Sequence, residues 1–237
     1  MAMSNDSKTV SIIRYRGNDI TRDTACLISE AVLTVNINGK TRFTPARTPG
    51  DEAAQAAGLC VGAGIPIAPE SIVVSPDGSV VDITIPEFDD QNPRPPCPVT
   101  DPFKFPVSKI IDAGRILSDA QHLRRKTHST HAAVIFDAGF SVIAASEDVS
   151  RHSAIDKVIG MAFLGGKLSS AKAIMLTCRQ NSDVMVKIVN AGIPVLLSVS
   201  RPTVSALLTA KEYGLTVALL GRNDEVVSFC GEHRLIP

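Results

Sequence analysis

Short apolar runs alternate with segments of helical spacing along the second half of the chain, and this pattern predicts a layered α/β domain. The strand-like runs are 132–136, 140–145, 173–177, 194–200, 215–220 and 226–230. The helix-like segments are 108–125, 153–164, 182–191 and 203–213. Strands that alternate with helices in this way favour a layered domain with a largely parallel or mixed sheet.

The first half of the chain is richer in strand signals. Apolar residues alternate with polar ones up to the Asn38-Gly39 turn, a helix rich in alanine is expected at 51–60, and a second hairpin is expected around 76–78. Four regions are therefore predicted. They are a disordered start at 1–23, a smaller strand-rich amino-terminal subdomain at 24–90, a Pro-rich loop at 91–107 and the α/β domain at 108–237.

Charge and composition exclude several classes of partner. The chain has 24 basic and 24 acidic residues, no Trp and two Tyr, so neither a broad nucleic-acid surface nor a base-stacking platform is indicated. No apolar run reaches the length of a membrane span, and the polar start lacks the apolar core of a signal peptide. A cytoplasmic protein with no membrane partner is expected.

The segment 146–160 packs polar and charged residues between a strand and a helix. Ser153 and Asp156 fit a helix-capping pattern, which would set Arg151 and His152 just before the first helical turn. Free backbone N–H groups and the positive end of the helix dipole favour an anion at that place. The alternative interpretation is a local ion-pair network of the two acids Glu147 and Asp148 with Arg151.

Three further polar turns follow strands or precede them, at 127–131, 177–182 and 220–225. Ligands of open α/β sheets bind beyond the carboxyl ends of strands. Arg151, Arg179 and Arg222 each stand in such a turn, and together they could clamp the phosphates of a ligand. Turns are also polar for no functional reason, and that alternative stays open.

The five cysteines are scattered singly, so neither a disulfide framework nor a zinc knuckle is indicated. Cys97 differs from the others because it lies in the Pro-rich loop, where a thiol is exposed to reaction. A zinc deaminase would need a His-x-Glu and a Pro-Cys-x-x-Cys. Residues 131–133 lack the Glu and Cys97 lacks a partner cysteine, so no metal site is predicted.

The polar turns resemble one family in order and spacing. The motif Glu-Asp-Val-Ser-Arg-His-Ser-Ala-Ile-Asp-Lys-Val-Ile-Gly at 147–160 is similar to the Glu-Asp-Val-Gly-Arg-His-Asn-Ala-x-Asp-Lys-x-x-Gly signature of the formate dehydrogenase accessory sulfurtransferases, the FdhD family. Segments 127–133, 178–187, 200–203 and 215–229 resemble other motifs of this family. The resemblance covers roughly residues 24 to 231.

The resemblance implies a function and a set of site residues. FdhD proteins carry persulfide sulfur from a cysteine desulfurase to the bis-molybdopterin guanine dinucleotide cofactor of formate dehydrogenase, on a cytidine deaminase-like α/β/α sandwich, as homodimers. Cys97 would be the persulfide-forming cysteine, and no metal would be bound by the protein directly. The cofactor-binding residues carried over by position are Leu220, Gly221, Arg222, Asn223, Asp224 and Glu225, with Arg151, His152 and Arg179 from the other turns.

The chain departs from the family pattern at the cysteines. Family members hold a Cys-Gly-x-Cys-Gly loop, whereas this chain has only Cys97 followed by Pro-Val-Thr. Ser150 and Cys178 also replace glycines of the ligand turns. The alternative function is therefore a chaperone that binds a guanine nucleotide or the molybdenum cofactor but has lost sulfur transfer.

Overall fold

The computed structural model describes residues 6–86 and 95–237. The strands are β1 (Ser7–Arg16), β2 (Asp19–Ile28), β3 (Ala31–Val32), β4 (Thr34–Ile37), β5 (Lys40–Phe43), β6 (Ala46–Arg47), β7 (Ile72–Val74), β8 (Val80–Ile83), β9 (Phe105–Pro106), β10 (His131–Phe136), β11 (Val142–Asp148), β12 (Ala173–Leu176), β13 (Val195–Ser198), β14 (Thr216–Leu220), β15 (Val226–Cys230) and β16 (Leu235–Ile236). The helices are α1 (Glu52–Gly62), α2 (Val107–Asp119), α3 (His122–Thr127), α4 (Arg151–Leu164), α5 (Ser182–Asn190) and α6 (Val204–Glu212).

A six-stranded mixed sheet in the order β11-β10-β12-β13-β14-β15 forms the centre of the molecule. Strands β12, β13 and β14 run parallel, and the strands on either side of them run antiparallel. All four residues of β12 and of β13 are buried, because helices cover both faces of the sheet. One face packs against α4, α5 and α6, and the other packs against α2. The three-layer α/β/α arrangement predicted from the sequence is confirmed.

The amino-terminal region forms a smaller sheet in the order β5-β4-β8-β7, and the buried side of α1 completes its core. Helix α1 also crosses α4 at very close range. Neither Gly58 of α1 nor Gly160 of α4 has room for a Cβ atom, because the backbone carbonyls of Asp156 and Ala54 occupy that space. The two glycines therefore let the helix backbones touch.

The beginning of the chain differs from the prediction of a disordered start at 1–23. Strands β1 and β2 form an antiparallel hairpin with ten paired positions, from Ser7 opposite Ile28 to Arg16 opposite Asp19. A two-residue Gly17-Asn18 turn joins them, with Gly17 at a φ of 60°. This dipeptide is a hairpin signal that the sequence interpretation missed. Residues 1–5 lie outside the described part of the chain.

The helix predicted at 108–125 is two helices, α2 and α3. The break occurs because the Glu147 carboxylate accepts hydrogen bonds from the backbone N–H of Leu123 at 2.5 Å and of Arg124 at 2.9 Å, which starts a new helix there. Of the predicted Pro-rich loop, residues 91–94 lie outside the described residues. Within the described ranges, no helix is long and apolar enough to cross a membrane.

Candidate functional site

The predicted polar turns meet at one edge of the main sheet. Strands β11, β12, β13 and β14 end there, and the antiparallel strands β10 and β15 begin there. Hydrogen bonds tie neighbouring turns together, such as the bond from the Ser200 hydroxyl to the Thr177 carbonyl at 2.9 Å. The turns 127–131, 148–151, 177–182, 199–203 and 220–225 are called the cationic edge below.

The start of α4 at this edge differs in detail from the prediction. The N-cap is Ser150, whose hydroxyl accepts from the Ser153 N–H at 3.4 Å, and the helix begins at Arg151. Ser153 instead turns inward and donates to the carbonyl of Ala46 at 2.9 Å. Arg151 and His152 therefore lie inside the first helical turn, still at the positive end of the helix dipole.

The two acids of the motif hold the fold together. Asp148 is fully buried and accepts from the Thr48 N–H at 3.1 Å, from the Ser150 N–H at 2.9 Å and from the Lys157 ammonium at 2.8 Å. Burial raises the pKa of Asp148, and the Lys157 charge opposes that rise. Glu147 caps α3, so both acids are engaged in structural contacts. The alternative interpretation also made the acids structural, but it paired them with Arg151, whereas Asp148 pairs with Lys157.

Arg151 does not join that local network. Arg151, Arg179 and Arg222 are all exposed, and none of them forms an ion pair with another described residue. Arg201, which follows β13, adds a fourth such cation that the sequence interpretation did not select. Arginines without carboxylate partners at one edge are available to an anionic ligand.

Three helices also point their positive ends at the cationic edge. Helices α4, α5 and α6 all start there, and their N-cap side chains are Ser150, Asn181 and Thr203. Each cap satisfies one backbone N–H, while the dipoles add partial positive charge to the arginines. The edge therefore attracts phosphate or carboxylate groups by both side chains and backbone.

The turn 220–225 occupies one end of the cationic edge. Glu225 N–H donates to the Arg222 carbonyl at 3.3 Å, and Asn223 and Asp224 have positive φ values of 55° and 58°. This turn is four strand positions away from β11 and Arg151, which at a strand spacing of about 4.8 Å is about 19 Å. Arg151 and Arg222 therefore start from opposite ends of the cationic edge.

Two half-buried histidines lie at the other end of the edge. Burial lowers the pKa of His152, and the charges of Lys187 and Arg151 lower it further. The Nε2 atom of His152 is buried without a hydrogen-bond partner among the described residues. Burial, followed by the charges of Arg124 and Arg151, also lowers the pKa of His131. Both rings are therefore neutral near pH 7.

Cys97 lies at the opposite end of the molecule. It lines an open cleft of about 340 Å³, together with Phe163 at the end of α4 and Asn190 at the end of α5. Since α4 has 14 residues and rises 1.5 Å per residue, Cys97 is about 20 Å from the cationic edge. The structure does not bring Cys97 together with the predicted cofactor-binding residues.

Burial makes three of the other cysteines, Cys60, Cys178 and Cys230, poor nucleophiles. Cys60, Cys178 and Cys230 are buried, whereas Cys26 is half-buried and Cys97 is exposed. Burial raises the pKa of Cys60 to about 12 and that of Cys178 to about 11. Because the thiolate is the reactive form, Cys97 is the cysteine best placed to react with a partner protein.

Among the described residues, no group of three or more His, Cys, Asp or Glu side chains could hold a metal ion.

Fold and site together define a three-layer α/β protein with an anion-attracting sheet edge and, at the other end, an exposed cysteine. The chain belongs to the FdhD/NarQ family, whose model matches residues 84–236. It is 28% identical over 264 residues to the sulfur carrier protein FdhD of Streptomyces avermitilis, covering 94% of each chain. It is 38% identical over 124 residues to the Brucella abortus protein of the same name, which is 52% of this chain and 46% of that relative. The chain thus matches less than half the length of the Brucella protein.

A solved structure shares the fold. A crystal structure of a protein from Desulfotalea psychrophila, assigned as a formate dehydrogenase accessory protein, superimposes with a TM-score of 0.83 and 24% sequence identity. The match covers 97% of this chain and 99% of the other. The mixed sheet, the helical layers and the amino-terminal region therefore occur together in both proteins.

Proposed function

We propose that this protein is a sulfur carrier that serves a molybdenum-dependent formate dehydrogenase in the cytoplasm. On this proposal it takes persulfide sulfur from a cysteine desulfurase and delivers that sulfur to the bis-molybdopterin guanine dinucleotide cofactor. The names of its relatives support the role. The structural observation that carries it is Cys97, the exposed member of a set of otherwise buried or half-buried cysteines.

The loading step needs only the Cys97 thiolate and an external persulfide. The thiolate attacks the terminal sulfur of the donor persulfide, a sulfur–sulfur bond forms on Cys97, and the donor cysteine leaves as a thiolate. Exposure of Cys97 lets the donor protein approach. The cleft beside it, lined by Phe163 and other apolar residues, offers an apolar surface on which the donor protein could rest.

In this proposal the cofactor receives the sulfur, and the cationic edge would bind its anionic groups. Phosphates fit the unpaired Arg151, Arg179 and Arg222 and the starts of three helices. The separation of about 19 Å between β11 and β14, the strands that precede Arg151 and Arg222, suits an extended dinucleotide better than a small anion. We place the guanine nucleotide at the turn 220–225 and phosphates toward Arg151.

Sulfur loading and cofactor binding then use opposite ends of α4. A desulfurase at Cys97 and a cofactor at the cationic edge do not compete for the same surface. Delivery requires either that the segment carrying Cys97 moves towards the cationic edge, or that the Cys97 end of a second copy of the chain meets this edge. We therefore propose a working homodimer, which sedimentation at micromolar concentration checks.

Persulfide mapping tests the proposal. The protein is incubated with a cysteine desulfurase and cysteine, and peptides are examined by mass spectrometry for the gain of one sulfur atom. We expect the adduct on Cys97, no adduct in Cys97→Ser, and an unchanged Cys97 adduct in the matched control Cys26→Ser. An active desulfurase that leaves Cys97 unmodified refutes the proposal.

The loss of the second family cysteine supports one competing function, a cofactor chaperone that transfers no sulfur. Binding of guanosine diphosphate that survives Cys97→Ala, together with no persulfide on the wild-type protein, would identify that function. A protein that binds neither a guanine nucleotide nor the molybdenum cofactor contradicts both.

A further inference from the structure

The first residue of β10 lies in a row of polar side chains at the cationic edge. His131 is paired with Asp148 of β11. The β10–β12 register sets Ala133 opposite Leu176, and Cys178 follows two residues after the end of β12. Side chains two residues apart share a face, so His131 points to the same side as Ala133, the side covered by α4.

Two arginines approach His131 from different elements. Arg151 is in the first turn of α4, and Arg124 belongs to α3, where its guanidinium donates to the Thr130 carbonyl at 2.9 Å. Both act on the imidazole electrostatically. Neither guanidinium forms an ion pair with another described residue.

The acids beside His131 are already engaged. Asp148 is held by Lys157 and by two backbone N–H groups, and Glu147 accepts from the start of α3 and from the Thr130 hydroxyl at 2.8 Å. The charged and titratable groups around the imidazole are Arg124 from α3, Arg151 from α4, Asp148 from β11 and Cys178 from the turn after β12, while Glu147 is directed to the other face of the sheet. Since Lys157 already neutralises Asp148, the charges of Arg124 and Arg151 leave the surroundings of the His131 ring positive.

We propose that Arg124, His131 and Arg151 form a phosphate-binding subsite, and that the His131 imidazole takes up a proton when the phosphate group binds. The two arginines hold the oxygens as charge-assisted donors. The ring nitrogen donates a third hydrogen bond once it is protonated. The inference rests on the proposed function, because this subsite would receive one phosphate of the cofactor.

Proton uptake follows from the charges. In the free protein, burial and then the charges of Arg124 and Arg151 lower the pKa of the His131 ring. A bound dianion brings opposite charge next to the ring, which favours the imidazolium and raises its pKa. Affinity for the anion should therefore increase as the pH falls through the pKa of the ring in the complex.

Histidine titration by nuclear magnetic resonance tests the linkage. Ring signals are followed from about pH 5 to 8 with sulfate, a dianion that does not titrate in this range, and with chloride at the same ionic strength. The His131 signal is assigned from His131→Gln. With sulfate we expect its midpoint to rise by about one pH unit. The ring signals of His233, which is exposed and lies outside the cationic edge, are recorded as the control.

Affinity for inorganic pyrophosphate tests the arginines. Arg124→Met and Arg151→Met should each weaken binding by about tenfold, the effect of one charge-assisted hydrogen bond. The matched control Lys40→Met removes an exposed cation on β5 of the amino-terminal sheet and should leave affinity unchanged. Circular dichroism confirms that each variant is folded.

These experiments test the phosphate-binding subsite independently of the proposed cofactor. An unshifted His131 signal, or equal pyrophosphate affinity in Arg124→Met and Lys40→Met, overturns the subsite even if guanosine diphosphate binds at 220–225. A shifted His131 signal with weakened arginine variants supports it even if the protein binds no guanine nucleotide, which would count against the proposed cofactor alone.

Discussion

Replacing Lys157 by Met should destabilise the protein strongly, because it removes one partner of a buried ion pair. The side chain of Lys157 is 2% exposed and that of Asp148 is 0% exposed. The ammonium also donates to the Thr48 carbonyl at 2.8 Å. Met conserves the volume, so the loss comes from an unpaired buried carboxylate, and such a loss is about 3–5 kcal/mol.

The pH dependence of Lys157→Met distinguishes charge from packing. Burial already raises the pKa of Asp148, and without Lys157 it should rise further. The folded protein then binds more protons than the unfolded chain between the unfolded pKa and the higher folded pKa. Its stability relative to wild type should therefore fall as the pH rises from about 4, and the two proteins should converge in acid.

Urea unfolding followed by circular dichroism at several pH values measures this difference. The matched control Lys40→Met removes an exposed cation and should change the free energy of unfolding by less than about 0.5 kcal/mol. The double variant Asp148→Asn with Lys157→Met should recover part of the stability at neutral pH, since no charge is left unpaired. A loss under about 1 kcal/mol, or an equal loss at every pH, refutes the reasoning.

Three further predictions concern packing, capping and thiol reactivity. Gly160→Ala should lower the free energy of unfolding by about 3 kcal/mol or more, because the new Cβ would clash with a backbone carbonyl of α1 and no side-chain rotation can relieve that clash. Thermal unfolding measures the loss, and an unchanged unfolding midpoint would contradict the prediction. Ser150→Ala should lower the free energy of unfolding by about 1 kcal/mol, because it removes the side-chain cap of α4. Ser150→Thr keeps a capping hydroxyl and should lower it by less, and urea unfolding measures both losses. In the folded protein, iodoacetamide should label the exposed Cys97 faster than the buried Cys60 and Cys178, because pKa values of about 12 and 11 keep those two groups as thiols. Peptide mass spectrometry measures the labelling, and equal rates at the three cysteines would contradict the prediction.

The central sheet could be predicted from the sequence because its signals are local. Each short apolar run between turn residues is long enough for one strand and too short for a helix, as at β12 and β13. The carboxyl ends of parallel strands share one edge by geometry alone. The convergence of the turns around Arg151 and Arg179 followed from that rule.

Other features depend on contacts distant in sequence. Ser153 and Asp156 match a capping pattern, yet Ser153 bonds to Ala46 and Asp156 pairs with Lys187, so Ser150 becomes the cap. The position of Cys97 depends on the path of its segment across the far end of the sheet. Val99 there donates to the carbonyl of Tyr213, a contact that no local pattern indicates.

The close crossing of α1 and α4 has a consequence for how the chain unfolds. Helix α1 belongs to the amino-terminal sheet, yet its backbone rests on α4 at Gly58 and Gly160, and α4 carries Arg151. Opening the amino-terminal sheet would expose the buried side of α4, so the two parts should unfold in one cooperative step. Native-state hydrogen exchange should give α1 and α4 the same opening free energy. The position of Arg151 at the start of α4 would then depend on a helix from the other sheet.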